Sequence, residues 1–367
     1  IMCYCQKTFF TINPMNGGMK AMNISQKSYT VKFSNKGNLK FPLYLILLIL
    51  LILSFAAALG LGSSTVNFIS FIKALLNGDT QNTDYRIIMF IRLPRALGAL
   101  LSGAALAVSG VIIQAVLNNP MAAPNIIGVN SGAGLAAVLL ITAFPTLIPL
   151  LPIAAFLGAI SACLLIYAIS YKTGAGKVTI TLVGIAISSI LNAAINLVKT
   201  LFPDSVFDAD LFLIGGLSAV TVKKLYLPLI LISIAIILSI FLAKDIDIIT
   251  LGDETSYTLG MRVKSVKLML LVLAAILAGS AVSFAGLLGF VGLLVPHIAR
   301  RFVGTSHRRL IPISAAMGSI LVLLCDLFGR TAAAPYEISV GIILSFIGGP
   351  FFIALIFLQR RKSYDRA

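Results

Sequence analysis

The chain has 367 residues, 59% of them hydrophobic and only 11% charged, with a mean hydropathy of +1.04 and a formal net charge of +16. Soluble globular domains carry about 25% charged residues, so the composition excludes a soluble enzyme and points to an all-α, multi-span membrane protein. The basic residues lie in short patches between apolar runs, where they set orientation in a bilayer rather than bind nucleic acid.

Residues 1–40 are polar, bear lysines and show no structural pattern. They are expected to form a disordered cytoplasmic tail, with Met19 and Met22 as candidate start sites. The apolar run 43–61 is longer than a signal-peptide core of about 7–15 residues and lacks a convincing cleavage site. The first span is therefore placed at 41–62, opening a permease domain over 41–360, and residues 361–367 form a second cytoplasmic tail.

The second span, 93–117, is the stretch around which the chain is organised. It opens on Arg92 and Arg95, then runs without charge past Gly98, Ser102, Gly103, Ala107, Ser109 and Gly110. Small residues of this kind let a neighbouring helix backbone approach closely in a membrane. Further spans are expected at 126–146, 148–170, 179–201, 225–243, 266–284, 286–299 (short and broken by glycine), 311–329 and 338–358, ten in all. An apolar piece at 209–219, after the fifth span, is too short to cross and is expected to be re-entrant or interfacial.

Ten spans put both ends of the chain on one side. That side gathers the lysines of the first tail, Lys172, Lys177, Arg300, Arg301, Arg308, Arg309 and the basic last tail, whereas basic and acidic residues nearly balance on the other. The asymmetry predicts a cell-membrane protein with both termini cytoplasmic, and places the mouth with Arg92 and Arg95 outside.

Several candidate motifs dissolve on inspection. Gly174-Ala175-Gly176-Lys177 imitates the end of a phosphate loop, but Tyr171 stands where its first glycine belongs and Val178 where its Ser or Thr belongs. No other nucleotide motif appears, so ATP hydrolysis is not expected of this chain. Cys3 and Cys5 lie in the tail and Cys163 and Cys325 in spans, which gives neither a disulfide framework nor a zinc spacing. His297 reads as a structural histidine, His307 is the only other one, and neither a metal site nor a cofactor is expected.

Four features keep a functional reading. Within the charged loop 244–267, residues 251–261 read as a short helix between glycines. The loop is either an ordinary solvated connection or a docking knuckle, with Leu251, Tyr257, Leu259 and Met261 as apolar anchors. Residues 283–301 carry Gly286, Gly289, Gly292 and Pro296 and read mainly as a broken, closely packed helix. In the fifth span, Ser188, Asn192 and Asn196 recur every four residues on one face; they either bond to neighbouring helices or line a wet pathway. Asp326 and Arg330 are four apart inside a span, where charge is costly and usually paired. They either neutralise each other, or Arg330 joins Arg92 and Arg95 in a basic rim that attracts an acidic partner.

Taken together, RLPR at 92–95, GAALAVSGVIIQAVLNNPMAAPNIIGVNSGAG at 103–134, LGDETSYTLGM at 251–261 and GFVGLLVPHIARRFVGTSHRRLIP at 289–312 resemble the FecCD permeases. These are transmembrane subunits of type II ABC importers for iron chelates, haem and vitamin B12, and the resemblance spans about residues 41–360. It implies a ten-span subunit that pairs with a second copy, as a homodimer, or with a sister permease, around a central pathway. It implies an ATP-hydrolysing subunit docked through Leu251, Gly252, Asp253, Glu254, Leu259, Gly260 and Met261. It also implies an extracytoplasmic binding protein whose acidic residues meet Arg92, Arg95 and Arg330, with Arg86 matching less clearly in register. Ser188, Asn192 and Asn196 would line the pathway, and 209–219 would be the short helix beside the gate. A ferric siderophore is the expected substrate, with haem and cobalamin as alternatives within the family. An ion-coupled secondary transporter would want several intramembrane carboxylates, and here only Asp326 lies well inside a span. A membrane enzyme would want a convergent nucleophile, base or metal set, and none is apparent.

Overall fold

The most buried helix is the one richest in small residues. In the computed structural model, which describes residues 40–62, 67–172 and 176–364, α4 (Leu93–Val116) is enclosed along almost its whole length. Around it stand α1 (Lys40–Gly60), α9 (Val222–Phe241), α12 (Val263–Ala285), α13 (Val291–Val303) and α14 (His307–Thr331). A second layer pairs α5 (Val129–Ala143) with α6 (Leu151–Lys172) and α7 (Lys177–Leu201), and α12 joins the layers by packing on both α4 and α6.

Composition explains the central position. At Gly103 an added Cβ would strike the backbone of Gly318 on α14, and one on Gly318 would strike Gly103 in return. Gly110 meets Gly292 of α13 in the same way. Lipid tails are as apolar as leucine, so helices in a membrane gain from close van der Waals approach rather than from leaving water. Larger side chains at these crossings would push the backbones apart.

Seven segments among the described residues are long and apolar enough to cross a membrane: Pro42–Gly60, Thr83–Val116, Pro145–Lys172, Lys177–Leu201, Val222–Phe241, Val263–Ala285 and His307–Thr331. Val129–Ala143 and Val340–Leu355, the latter within α15 (Val340–Tyr364), are apolar but shorter. The 15 residues of α5 reach about 22 Å as a helix against a hydrocarbon layer of about 30 Å. The tail over residues 1–39, Gly174 and Ala175 of the false phosphate loop, and residues 365–367 lie outside the described residues.

Three boundaries differ from expectation. The eighth segment, expected at 286–299, forms helix only over Val291–Val303. Gly286 and Phe290 both have positive φ, and the chain between them passes so near Phe212 that a Cβ on Gly286 would meet its carbonyl. The short apolar piece is helical earlier than expected, as α8 (Val206–Ile214), and then turns at Gly215. Ahead of α4 lie two unforeseen helices, α2 (Phe68–Asn77) and α3 (Thr83–Arg86), the latter forming the start of the apolar segment that contains α4. Each has an asparagine N-cap: Asn67 accepts from Ile69 and Ser70, and Asn82 accepts from Asp84 and Tyr85.

Candidate docking and translocation sites

Where α1, α4 and α14 meet at the N-terminal end of α4, three arginines converge. The last carbonyls of a helix have no partner within it, and α1 has no basic residue in its last turn to serve them. Arginines from other elements do so instead. Arg92 Nη1 donates to Leu59 O at 2.9 Å and Gly60 O at 2.7 Å, and Arg330 Nη2 donates to Ala58 O at 2.6 Å. Arg95 lies between them. Its Nε reaches both oxygens of Asp326, at 2.8 and 3.1 Å, and its Nη1 reaches Glu337 Oε2 at 2.8 Å. Arg330 Nε approaches Asp326 Oδ2 at 3.5 Å.

This arrangement corrects the expectation of an outward basic rim built from these side chains. Arg92, Arg95 and Arg330 are only 3%, 7% and 4% exposed, and Asp326 is 1% exposed. A charge among apolar helices must be paired or hydrogen-bonded, and here the nearest partners belong to the chain itself. Self-neutralisation of Asp326 and Arg330 is the alternative realised, with Arg95 as the larger partner. Glu337, which sequence reading passed over, is the solvent-facing member of the cluster, its side chain 39% exposed. Arg86, at the end of α3, is exposed.

A second site lies between α9 and α12. Helix α10 (Ala243–Ile249) buries Ala243, Ile246 and Ile249. The chain then turns through Gly252, at φ +105°, into α11 (Asp253–Thr258), and leaves it through Gly260, at φ +83°. Positive φ at both ends is open to glycine and strained for most other residues, so the two glycines bracket the knuckle as expected. Ser256 Oγ lies within hydrogen-bond reach of Ile248 O (2.9 Å) and Gly252 O (2.7 Å). Asp253 accepts from Lys267 Nζ at 2.6 Å, and Asn118 Nδ2 donates to Thr250 O at 3.1 Å. His307 anchors the far side, its Nδ1 2.6 Å from Asp247 Oδ1 and its backbone N–H bonded to the same oxygen at 3.0 Å.

The knuckle is thus fixed from behind and open in front. Leu251, Tyr257 and Leu259 are 58%, 75% and 60% exposed, and Glu254 is exposed beside them. Met261, expected as a fourth anchor, instead packs inward against the core. The Asp247–His307 contact escaped the sequence reading because the two lie 60 positions apart, and the Lys267–Asp253 contact because no local pattern shows that α12 folds back beside α11. A lysine followed directly by an apolar run was the one available hint.

The polar stripe of α7 divides. Ser188 Oγ is 3.2 Å from Ser131 Oγ of α5, while Asn192 and Asn196 are exposed. At 3.6 residues per turn, eight residues drift about 80° around a helix, so the stripe turns from α5 toward the outer surface of the chain. Near it, Lys199 Nζ holds Asp210 of α8 at 2.6 Å. The turn after α8 is bound by Gly216 N–H to Ala285 O at 2.9 Å and by Gly341 N–H to Gly215 O at 3.2 Å. A cleft of about 560 Å³ opens here, lined by Asn130, Leu213, Leu287, Gly289, Ile342 and Phe346 among others. Ser188, Asn192 and Asn196 are not among its lining residues.

Among known proteins, the profile of the FecCD transport family matches residues 48–358. A hemin transport system permease protein of Yersinia pestis is 37% identical over 322 residues, covering 86% of this chain and 95% of the relative. An Fe(3+)-citrate import system permease protein of Bacillus subtilis is 36% identical, covering 87% of this chain and 95% of its own. An iron(3+)-hydroxamate import system permease protein from the same species is 34% identical, covering 84% and 94%. Among solved structures, a metal-chelate type ABC transporter in an inward-facing conformation superposes with a TM-score of 0.77 at 26% identity, covering 86% of this chain and 98% of that one.

Proposed function

The chain belongs to the FecCD transport family, and from that premise we propose that it is the transmembrane permease subunit of an ABC importer for an iron chelate. The related permeases named for haem, ferric citrate and ferric hydroxamate have in common iron held in an organic chelate. A ferric siderophore is the substrate class favoured here, and haem and cobalamin remain the competing cargoes. Asp326, the carboxylate an ion-coupled mechanism would need, is engaged by Arg95 and Arg330, which disfavours a secondary transporter.

The observation that carries this reading is the α10–α11 knuckle, braced from behind while Leu251, Glu254, Tyr257 and Leu259 face outward. A rigid projection with exposed apolar anchors suits a partner that pushes on it. The proposed partner is the ATP-hydrolysing subunit, and Gly252, Asp253 and Gly260 set the shape it meets. Ten crossings, with both termini cytoplasmic, put the knuckle on the cytoplasmic side. The shorter helices α5 and α13, together with the 25-residue α15, then complete the count.

An extracytoplasmic binding protein would dock at the Arg92–Arg95–Arg330 end. With those guanidiniums buried, the direct contact falls to Arg95, reached when a carboxylate of the binding protein displaces the half-exposed Glu337. Arg92 and Arg330 hold the mouth in shape by capping α1. Asn192 and Asn196, polar and exposed on α7, would face the pathway shared with a second permease copy or a sister permease. Alternating access then follows from differential affinity of the partners for two arrangements of the helices.

Uptake by intact cells of labelled ferric siderophore, haem and cobalamin, with and without this chain, tests the reading. Loss of siderophore uptake alone supports it. Loss of haem or cobalamin uptake alone moves the cargo within the family. No loss, with the chain expressed, removes the assigned role.

A further inference from the structure

On the flank of the bundle, α6, α9 and α12 enclose a crevice of about 260 Å³. This exceeds the roughly 150 Å³ apolar cavity that holds a benzene molecule. Its walls are apolar, with Pro152, Ile153 and Phe156 on one side and Leu227 and Leu231 on the other. Lys223 and Lys224 line it from the first turn of α9, both exposed, and no carboxylate lines it. Thr221, the N-cap of α9, gives no side-chain bond to the amides of that turn.

The third element of the site is Ser280. It lines the crevice, is 1% exposed, and its Oγ has no hydrogen-bond partner, whereas nearby Ser283 donates to Ser280 O at 2.7 Å. A buried hydroxyl normally finds a partner. All three enclosing helices are among the apolar segments long enough to cross a membrane, and Tyr226, Leu227, Leu229 and Ile230 of α9 beside the crevice are exposed, the apolar surface that a bilayer would cover.

We propose that the crevice is a binding site for one anionic phospholipid. An acyl chain lies between α6 and α9, the phosphate sits at Lys223 and Lys224, and an ester carbonyl accepts from Ser280 Oγ. Each part of the site selects a part of the ligand. Free phosphate would use the lysines and leave the apolar walls empty. A zwitterionic lipid would fill the walls but bring its own cation toward the lysines.

The chain contains no tryptophan, so Tyr226→Trp, on the same turn of α9, provides a single reporter. The full chain is reconstituted in vesicles containing brominated phosphatidylglycerol or brominated phosphatidylcholine, and quenching gives relative affinities. The expected preference for phosphatidylglycerol is about thirtyfold, the scale two lysines exert on an anionic lipid. It should fall to near unity in the Lys223→Ala/Lys224→Ala background. Ser280→Ala should weaken both lipids while leaving their ratio unchanged.

A second reporter, Leu53→Trp on α1, should show no preference. Equal preference at both reporters would mean that overall surface charge attracts the lipid, and would overturn the site. Equal quenching by the two lipids at Tyr226→Trp would overturn it as well. Loss of the preference on adding inorganic phosphate, but not chloride of equal ionic strength, would reduce the site to a headgroup contact and refute the acyl-chain assignment. If the double-lysine variant fails to fold, Lys223→Gln/Lys224→Gln takes its place under the same criterion.

Discussion

Replacing Asp326 by Asn probes the buried charge cluster most directly. The substitution nearly preserves volume and removes one negative charge between Arg95, at 2.8 and 3.1 Å, and Arg330, at 3.5 Å. Each opposed pair gains about 4 kcal/mol at 4 Å with an effective dielectric constant of about 20, and the desolvation of three buried ions cancels much of that sum. Removing one partner keeps the desolvation and loses the attraction, so the net loss is about 3–5 kcal/mol. Arg95 retains Glu337 and Arg330 retains Ala58 O, which places the expected value toward the lower end. At about 2 °C per kcal/mol for a chain of this size, the melting temperature in detergent should fall by about 6–8 °C. Arg330→Gln alone should also destabilise, and the double variant should lose less than the sum of the singles by about 1–3 kcal/mol, as coupled neighbours do. A fall below about 2 °C for Asp326→Asn, or strict additivity in the cycle, would refute the view that these charges are buried and mutually dependent.

Further predictions use other parts of the molecule. Gly103→Val should abolish folded protein in the membrane, because its side chain would enter the backbone of α14, while Gly289→Ala, which meets nothing within 4 Å, should express and melt like the parent; size-exclusion yield and thermal shift compare them. Alanine at Leu251, Tyr257 and Leu259 together should abolish co-purification of the ATP-hydrolysing subunit with little change in melting temperature, since all three are exposed; retained co-purification would dismiss the knuckle as its docking site. Lys267→Met should speed amide hydrogen exchange over 253–260 by loosening α11, and unchanged exchange would mean that the 2.6 Å contact with Asp253 does not hold the knuckle. Glu337→Gln should release Arg95 toward solvent and tighten the binding protein with a steeper salt dependence, measurable by titration at two ionic strengths; unchanged affinity would remove Arg95 from the docking surface.

What the sequence determined by itself is the class of molecule and the identity of its central helix. Apolar runs long enough to cross a bilayer, scarce charge and small residues at helical spacing are local properties, and they survive in the structure as α4 crossing α14 and α13 at Gly103 and Gly110. The two glycines around 253–258 likewise marked α11, because a positive φ is a demand on a single residue. Tertiary structure alone decided where the charges went. Arg95 finds Glu337 across 242 positions and Arg330 finds Ala58 O across 272, separations that no periodicity encodes. It also decided where the chain unwinds, since Gly286 is pressed against Phe212, and which side of the knuckle is anchored, since Lys267 lies behind Asp253. An arginine written at the mouth of a helix looks available to a partner. Only the packed structure shows the carbonyls and carboxylates already within its reach, because a buried charge takes the nearest partner that offsets its lost hydration.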